Sequence, residues 1–529
     1  MRLRVWPWLA ALLSGGLLTL CFPRWDQGWL CWIALTPLIA AVWFSEGSAL
    51  RNAALGYCAG LVFFWGVFGW LTTVTGIGWF ILGFYLALYF AFWAWFVGAV
   101  AGPPSAMLRS RHNLRLAFLC AAAWTAQEWL RGVVFSGFGW NGLGVALYRN
   151  LALIQIADIT GVWGLTFLAA FCNVIAVATV RRFILEARIA KLRPHWDYTV
   201  AVLLVALVFL YGIHCLQRKA IGAPLRVAAI QANIPEKEKF DEAFEQKIFD
   251  RYSALTKLAL AGKPDLVVWP ESSTPRGMFS DQVNFDFVSG VAGLGDFNFL
   301  LGNIDFEQDG DYNVAILLTH RGRDFQIYRK IHLVPFGEYI PLRRAFPLFA
   351  MIAGAQVPSD FTAGRDYLVL RTENPAVKLA ALICFEDTIG DLTRRFVLKG
   401  AQLLVNVTND GWFLESPGSD QHLANAIFRA VETRRPLVRC ANTGVTCFID
   451  TLGRTTQSLK APKGGHFIEG ILSGVVSVPA GDELTFYVKH GDWPALASLA
   501  ATFVFLAARL RWRRAGSRSA ACKHPPAPR

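Results

Sequence analysis

The sequence predicts a polytopic α-helical membrane bundle of about eight helices carrying an α/β domain. Composition is the first observation behind this. Of 529 residues, 54% are hydrophobic and only 17% charged, and mean hydropathy is +0.39. That balance excludes an ordinary soluble protein and intrinsic disorder alike. The second observation is a series of apolar runs near the ~20 residues that a helix needs to cross a bilayer. They fall at 5–22, 29–44, 53–73, 78–102, 115–131, 151–180, 197–215 and 493–510. The third is a change of texture from Leu225, where short β-branched runs alternate with amphipathic stretches.

The first run follows Arg2 and Arg4, as in a signal peptide, but more spans come at once and no A-x-A site follows, so it reads as a helix. Arg51, Arg109, Arg111, Arg115, Arg181, Arg182, Arg188, Lys191 and Arg193 fall in loops on one side, and the tail after 511 adds more. The opposite short loops hold only Arg24, Arg131 and Arg149. The positive-inside rule then puts both termini in the cytoplasm and the segment 216–491 across the membrane. The organisation expected is 1–215 with seven transmembrane helices, 216–491 as the extracytoplasmic domain, and 492–529 as an eighth helix with a basic tail. The net charge of +13 reads as topology and anionic lipid rather than nucleic acid.

Glu128, Arg131, Arg149 and Asp158 sit at outer helix ends. Glu128 and Arg131 can pair at i,i+3, or these charges can meet a lipid headgroup or the soluble domain; Arg131 is the candidate for headgroup contact. Gly137-x-Gly139-x-x-Gly142 follows no strand and is not a dinucleotide site. Ten irregularly placed cysteines without a CxxC pair give neither a zinc site nor a disulfide framework. Nine histidines without HExxH, and no GxxxxGK[ST], argue against metal or ATP chemistry. No metal or other cofactor is expected.

Strands are expected at Leu225–Gln231, Leu266–Trp269, Phe299–Gly302, Ala315–Thr319, Phe325–Tyr328, Leu379–Cys384 and Leu403–Thr408, with helices near 239–261, 388–399 and 420–433. Asn406-Val407-Thr408 is a glycosylation sequon in letters, but reads as the end of a buried strand. Chemistry in α/β sheets collects at the carboxyl ends of strands. Three apolar runs stop at reactive residues: Glu271, Lys330 and Cys384. A thiolate is a nucleophile, a nearby cation lowers its pKa, a carboxylate can take its proton, and an ammonium can stabilise an oxyanion. Each residue alone also has a plain structural reading: a core thiol, a loop carboxylate, a surface lysine.

The surrounding residues are more specific. Trp269-Pro270-Glu271-Ser272, Lys330-Ile331-His332-Leu333-Val334-Pro335-Phe336-Gly337-Glu338 and Ile383-Cys384-Phe385-Glu386 resemble the carbon–nitrogen hydrolase (nitrilase) superfamily. Within it, the His332–Glu338 run, Asn406–Phe413, and His422 with Arg429, Glu432, Arg435 and Pro436 resemble the apolipoprotein N-acyltransferases, as does the eight-span layout. The resemblance implies an α-β-β-α sandwich on the bundle. It implies Glu271 as general base, Lys330 as oxyanion stabiliser and Cys384 as nucleophile, with Glu338, Glu386 and Phe385 in support. Phe385 stands where the family commonly has Tyr, Phe240 where it has Trp, and Phe138-Gly139-Trp140 replaces Phe-Pro-Trp. Phe240 and Trp412 join Arg131 as candidate substrate contacts.

The reaction implied runs from a glycerophospholipid acyl donor, through a thioester on Cys384, to the α-amine of a diacylglyceryl-modified apolipoprotein. The setting implied is a bacterial cytoplasmic (inner) membrane, with the catalytic domain on the periplasmic side. Phe336, Trp412, Phe413, Phe346–Phe349 and Met351-Ile352 read either as a membrane-dipping lid or as ordinary core. Two other readings stand beside this one: a membrane-anchored amidase or nitrilase with the same triad and water as acceptor, and a transporter or receptor. Transport is disfavoured by the lack of paired interrupted helices. Impermeant thiol reagent applied from outside should label a single cysteine placed within 240–250 and leave one in the tail untouched; a labelled tail overturns the topology.

Overall fold

The computed structural model describes residues 5–45, 47–189, 191–218, 222–343, 357, 359–462, 464–481 and 483–521, with side chains to 511. Five helices among them are long and apolar enough to cross a membrane: Ala49–Val67, Gly76–Val100, Val162–Ile189, Trp196–Leu216 and Trp493–Arg511. Of the three remaining expected runs, two are also single helices and one is divided. Trp6–Leu20 has 15 residues, about 22 Å of helix. The 29–44 run is a 3-10 turn, Gly28–Trp32, followed by the nine-residue helix Thr36–Phe44, which Pro37 opens. Ser110–Arg131 is a 22-residue helix, but its polar residues keep it less apolar than the five.

The 151–180 run breaks at Gly161. Short turns Leu151–Ile154 and Ala157–Thr160 precede it and the long helix follows. Gly161 has φ +61, and a Cβ there would lie 2.6 Å from the Tyr487 ring. Only glycine accepts that backbone at that distance. Hydropathy cannot register such a break, because both sides are equally apolar.

The second half contains twelve strands among the described residues: β1 Ala223–Gln231, β2 Leu266–Val268, β3 Asn298–Glu307, β4 Gly310–Thr319, β5 Asp324–Arg329, β6 Leu370–Arg371, β7 Lys378–Ile383, β8 Leu403–Thr408, β9 Leu437–Ala441, β10 Cys447–Ile449, β11 Thr455–Ser458 and β12 Gly470–Val478. They form two six-stranded sheets, ordered β12-β1-β2-β3-β4-β5 and β11-β10-β9-β8-β7-β6. Each has three parallel strands (β1, β2, β3 and β7, β8, β9) flanked by antiparallel neighbours.

Side-chain alternation builds the layers. Val227, Ala229, Val268 and Leu300 point between the sheets. Ala228, Ile230, Val267, Phe299 and Leu301 point outward, against Ile248, Tyr252 and Leu255 of helix Glu245–Leu260 and Val288 and Val291 of helix Gln282–Ala292. The second sheet is covered by helices Gly390–Leu398 and Gly418–Thr433. This is the expected four-layer helix–sheet–sheet–helix sandwich. Its core is continuous with that of the bundle, because Gly418–Thr433 lies between them and is buried along nearly its whole length.

Polar side chains fix that junction. Gln421 Nε2 donates to the carbonyls of Pro23 (2.6 Å) and Val67 (3.0 Å), while its Oε1 accepts from Trp70 Nε1 (2.9 Å) and Asn141 Nδ2 (2.8 Å). The Val162 N–H donates to Glu432 Oε1 at 3.0 Å. Arg434 pairs with Asp158 at 2.6 Å, so this helix-end charge meets the domain, one of the two sequence alternatives. Arg434→Met should lower stability by about 1–3 kcal/mol by leaving the buried Asp158 carboxylate with the Tyr211 hydroxyl but no cation, read as a lower Tm in detergent. Adding Asp158→Asn should recover part of the loss; purely additive losses would show that the pair does not carry the docking.

Candidate active site

β2 ends inside the sheet, and Trp269-Pro270 carries the chain out to Glu271. The Trp269 ring is fully buried, and its Nε1 donates to Thr256 Oγ1 at 3.0 Å. Pro270 has no N–H to satisfy, and its carbonyl accepts from Gly302 N at 3.1 Å. A Cβ on Gly302 would lie 2.5 Å from the Glu271 Cα, so glycine on β3 lets this turn sit down on the sheet. Ser272 follows at φ 47.

Lys330 is the first residue after β5, and only 1% of its side chain is exposed. Its Nζ donates to Glu338 Oε1 at 2.8 Å and lies 3.9 Å from Glu271 Oε1. Asn313 of β4 separates the carboxylates, its Nδ2 donating to Glu271 Oε1 and to Glu338 Oε1 at 2.8 Å each. The second Glu338 oxygen takes the Val334 N–H at 2.8 Å.

Cys384 follows β7 at φ 53, a left-handed conformation that costs a non-glycine residue energy and recurs at functional sites. Its carbonyl is held by Asn406 Nδ2 at 3.0 Å; Asn406 itself is buried in β8 as expected. Glu386 accepts from Ile383 N (2.9 Å) through one oxygen, and from Tyr328 OH (2.8 Å), Ile331 N (2.8 Å) and His332 N (3.1 Å) through the other.

Burial raises the Glu271 carboxyl above its ordinary value, against the pull of Lys330. Burial opposes the Lys330 charge, but Glu338, Cys384 and Glu271 outweigh it and hold the ammonium above its usual range. Lys330 lowers the Cys384 thiol as expected from the sequence, yet burial and the two carboxylates win and push it well up. A neutral thiol beside a carboxylate is set to lose its proton during attack rather than before it. Burial and Lys330 bring His332 down to about 4, so it is a neutral ring there.

The Phe385 ring stacks on Trp140 of the bundle (5.5 Å) and on His332 (5.8 Å). Phe413 packs on Trp70 at 4.5 Å. A cavity of about 400 Å³ lies beside the site, lined by Ile331, His332, Leu333 and Tyr339 and, from the bundle, Ser136. A second is shared by His332, Phe385, Trp129, Val145 and Trp163.

The candidate substrate contacts differ in burial. Phe240, Phe336 and Trp412 expose their rings. Arg131 is buried, and its guanidinium donates to the carbonyls of Phe138 (3.1 Å) and Trp140 (2.8 Å). It braces the loop that carries Trp140 rather than facing an open headgroup site. Phe346–Phe349 and Met351-Ile352 lie outside the described residues. Sequence reading missed Asn313, Asn406 as a clamp, Trp140 as a stacking partner and Lys239. The one signal for Asn313 is an amide immediately before the apolar run Val314–Leu318.

The model of the carbon-nitrogen hydrolases matches residues 226–473, which hold all three triad positions. That of the apolipoprotein N-acyltransferase N-terminal domain matches residues 14–175. A relative from Geobacter metallireducens, named apolipoprotein N-acyltransferase, is 36% identical over 95% of both chains. The chain belongs to the apolipoprotein N-acyltransferase family. Relatives of the same name from Bradyrhizobium diazoefficiens (34% identical over 84% of this chain and 80% of that one) and Methylococcus capsulatus (32% over 95% and 96%) match along both halves.

Lys330→Arg should be nearly as damaging as Lys330→Ala. A planar guanidinium cannot take the place of a compact ammonium held 2.8 Å from Glu338, and loss of an oxyanion donor costs on the order of 10²–10³ in rate. An Arg variant that keeps most of its acyl-transfer rate would reduce Lys330 to a general positive charge.

Proposed function

We propose that the chain transfers a fatty acyl group from a glycerophospholipid to the N-terminal α-amine of S-diacylglyceryl-cysteine on apolipoproteins. One observation carries this reading: His332 and Phe385, neighbours of Lys330 and Cys384, line a cavity whose wall is shared between the α/β domain and the bundle residues Trp129, Val145, Trp163 and Thr166. A donor and acceptor that both live in lipid need a site open at that junction.

Glu271 takes the Cys384 proton as sulfur attacks the ester carbonyl. Lys330 stabilises the oxyanion. The tetrahedral centre collapses with loss of the glycerol oxygen, which takes the proton from Glu271 and leaves as a lysophospholipid. The thioester is then attacked by the neutral amine; Glu271 accepts the amine proton and returns it to the departing thiolate. Glu338, Glu386 and Phe385 hold these groups in place. Two half-reactions let one pocket serve two lipid-bound substrates in turn. The loop charges support a multi-pass placement in a bacterial inner membrane, with 216–491 on the periplasmic side, between seven helices and an eighth.

Intact-protein mass spectrometry after incubation with phospholipid alone should find one acyl chain on Cys384, removable by neutral hydroxylamine. It should move to the amine of a diacylglyceryl-cysteine peptide when that is added. Cys384→Ala should never acquire it, and Glu271→Gln should acquire it slowly. Acylation of Cys384→Ala sinks the mechanism, and rapid discharge into water without acceptor favours an amidase-like hydrolase.

A further inference from the structure

The site holds a second buried ammonium that the mechanism above leaves unused. Lys239 ends the short turn Glu236–Lys239 and is 4% exposed. Its Nζ donates to the Glu271 carbonyl at 2.8 Å. The segment that carries it is anchored from the opposite sheet: Asn409 Nδ2 donates to Glu236 Oε2 at 2.6 Å, and Asn442 bonds Ile234 through both its amide atoms at 3.1 and 2.8 Å. A lysine tethered this way costs rotamer entropy and desolvation, and a carbonyl cap alone does not need a charge.

We infer that Lys239 is a positioning residue: it fixes the turn that presents Glu271 and supplies the second positive charge against which that base works. The groups facing Glu271 are Lys330, Asn313, Glu338 and Cys384, with Lys239 behind its main chain. Those facing Lys239 are Glu236, Glu271 and Cys384. Among the two lysines, Glu271, Glu338 and Cys384, with the less buried Glu236 set apart, charge sums to zero whichever of Cys384 and Glu271 holds the mobile proton. Without Lys239 the same set is left with a net negative charge in a buried site, and Glu271 holds its proton to higher pH. Burial draws the Lys239 ammonium down from its ordinary value, while the surrounding Glu236, Glu271 and Cys384 act to keep it charged.

This role rests on the acyl-transfer reading, so the test has one arm that needs it and one that does not. Full-length protein in detergent is given phosphatidylglycerol vesicles, and single-turnover release of lysophospholipid is followed across pH. Lys239→Met should move the acid limb up by about one unit, about tenfold slower at a fixed pH below it, with recovery at higher pH. Lys239→Gln, which keeps a donor for the carbonyl without the charge, should shift likewise; Lys239→Arg should keep the limb near wild type. In the second arm, alkylation of Cys384 by iodoacetamide should need higher pH in the Met and Gln variants. If wild-type protein releases no lysophospholipid, the donor assignment fails and alkylation alone decides the role of Lys239. Slower rates with an unmoved limb and an unmoved alkylation profile make Lys239 a structural cap and overturn the inference, as does an Arg variant displaced as far as Met.

Discussion

The carboxylate of Glu386 ties the two sheets together between Lys330 and Cys384. One oxygen takes the N–H of Ile383, immediately before Cys384. The other takes the Tyr328 hydroxyl and the N–H groups of Ile331 and His332, on either side of Lys330. Lys330 comes from the first sheet and Cys384 from the second; other polar contacts join the sheets, such as Gln326 with Arg371, but this carboxylate bonds the residues that flank both side chains. Burial lifts the Glu386 carboxyl to about 7. No cation directly contacts it among the bonds described; four donors do its solvation.

A second set of buried charges supports the same turn from behind. Arg439 pairs with Asp387 (2.6 Å) and Asp410 (3.0 Å), and His422 lies between those two aspartates at 2.7 and 3.0 Å. Arg439 also reaches Asn406, the amide that clamps the Cys384 carbonyl. Trp140 of the bundle lies against both His422 and Phe385. Movement of the bundle loop is thereby coupled by direct contact to Phe385, the residue after Cys384. Arg131, which braces that loop through two carbonyls, belongs to this support.

Much of this was legible in the sequence because strands end where apolar runs end. Glu271 follows its strand after two linking residues, and Lys330 and Cys384 follow theirs directly; the break in hydrophobicity marks each. The helices over the strands and the buried Asn406 follow from the same alternation, whereas the pairing of two sheets comes from the family resemblance. What sequence could not give was contact between distant segments. Lys239 looks like one more charge in Glu236-Lys237-Glu238-Lys239, and only the fold turns it under Glu271. Arg131 at a helix end looks like a headgroup ligand until the loop folds back over it. The helix break at Gly161 is silent because turn and helix are equally apolar. Strands β9 to β12 are short or lie at sheet margins, where the pattern is thin.

The order of strands carries a consequence for how such a chain is made. β1 is synthesised first in its sheet, yet its antiparallel neighbour β12 is the last strand of all. The first sheet therefore keeps an open edge while more than two hundred further residues emerge, and unpaired edges recruit other strands. Closure comes when Gly470–Val478 arrives, just before the final helix begins at Trp493. The ribosome thus delivers the strand that seals the sandwich and the helix that anchors it almost together. Completion of the fold and commitment of the last segment to the bilayer fall in the same brief interval of translation.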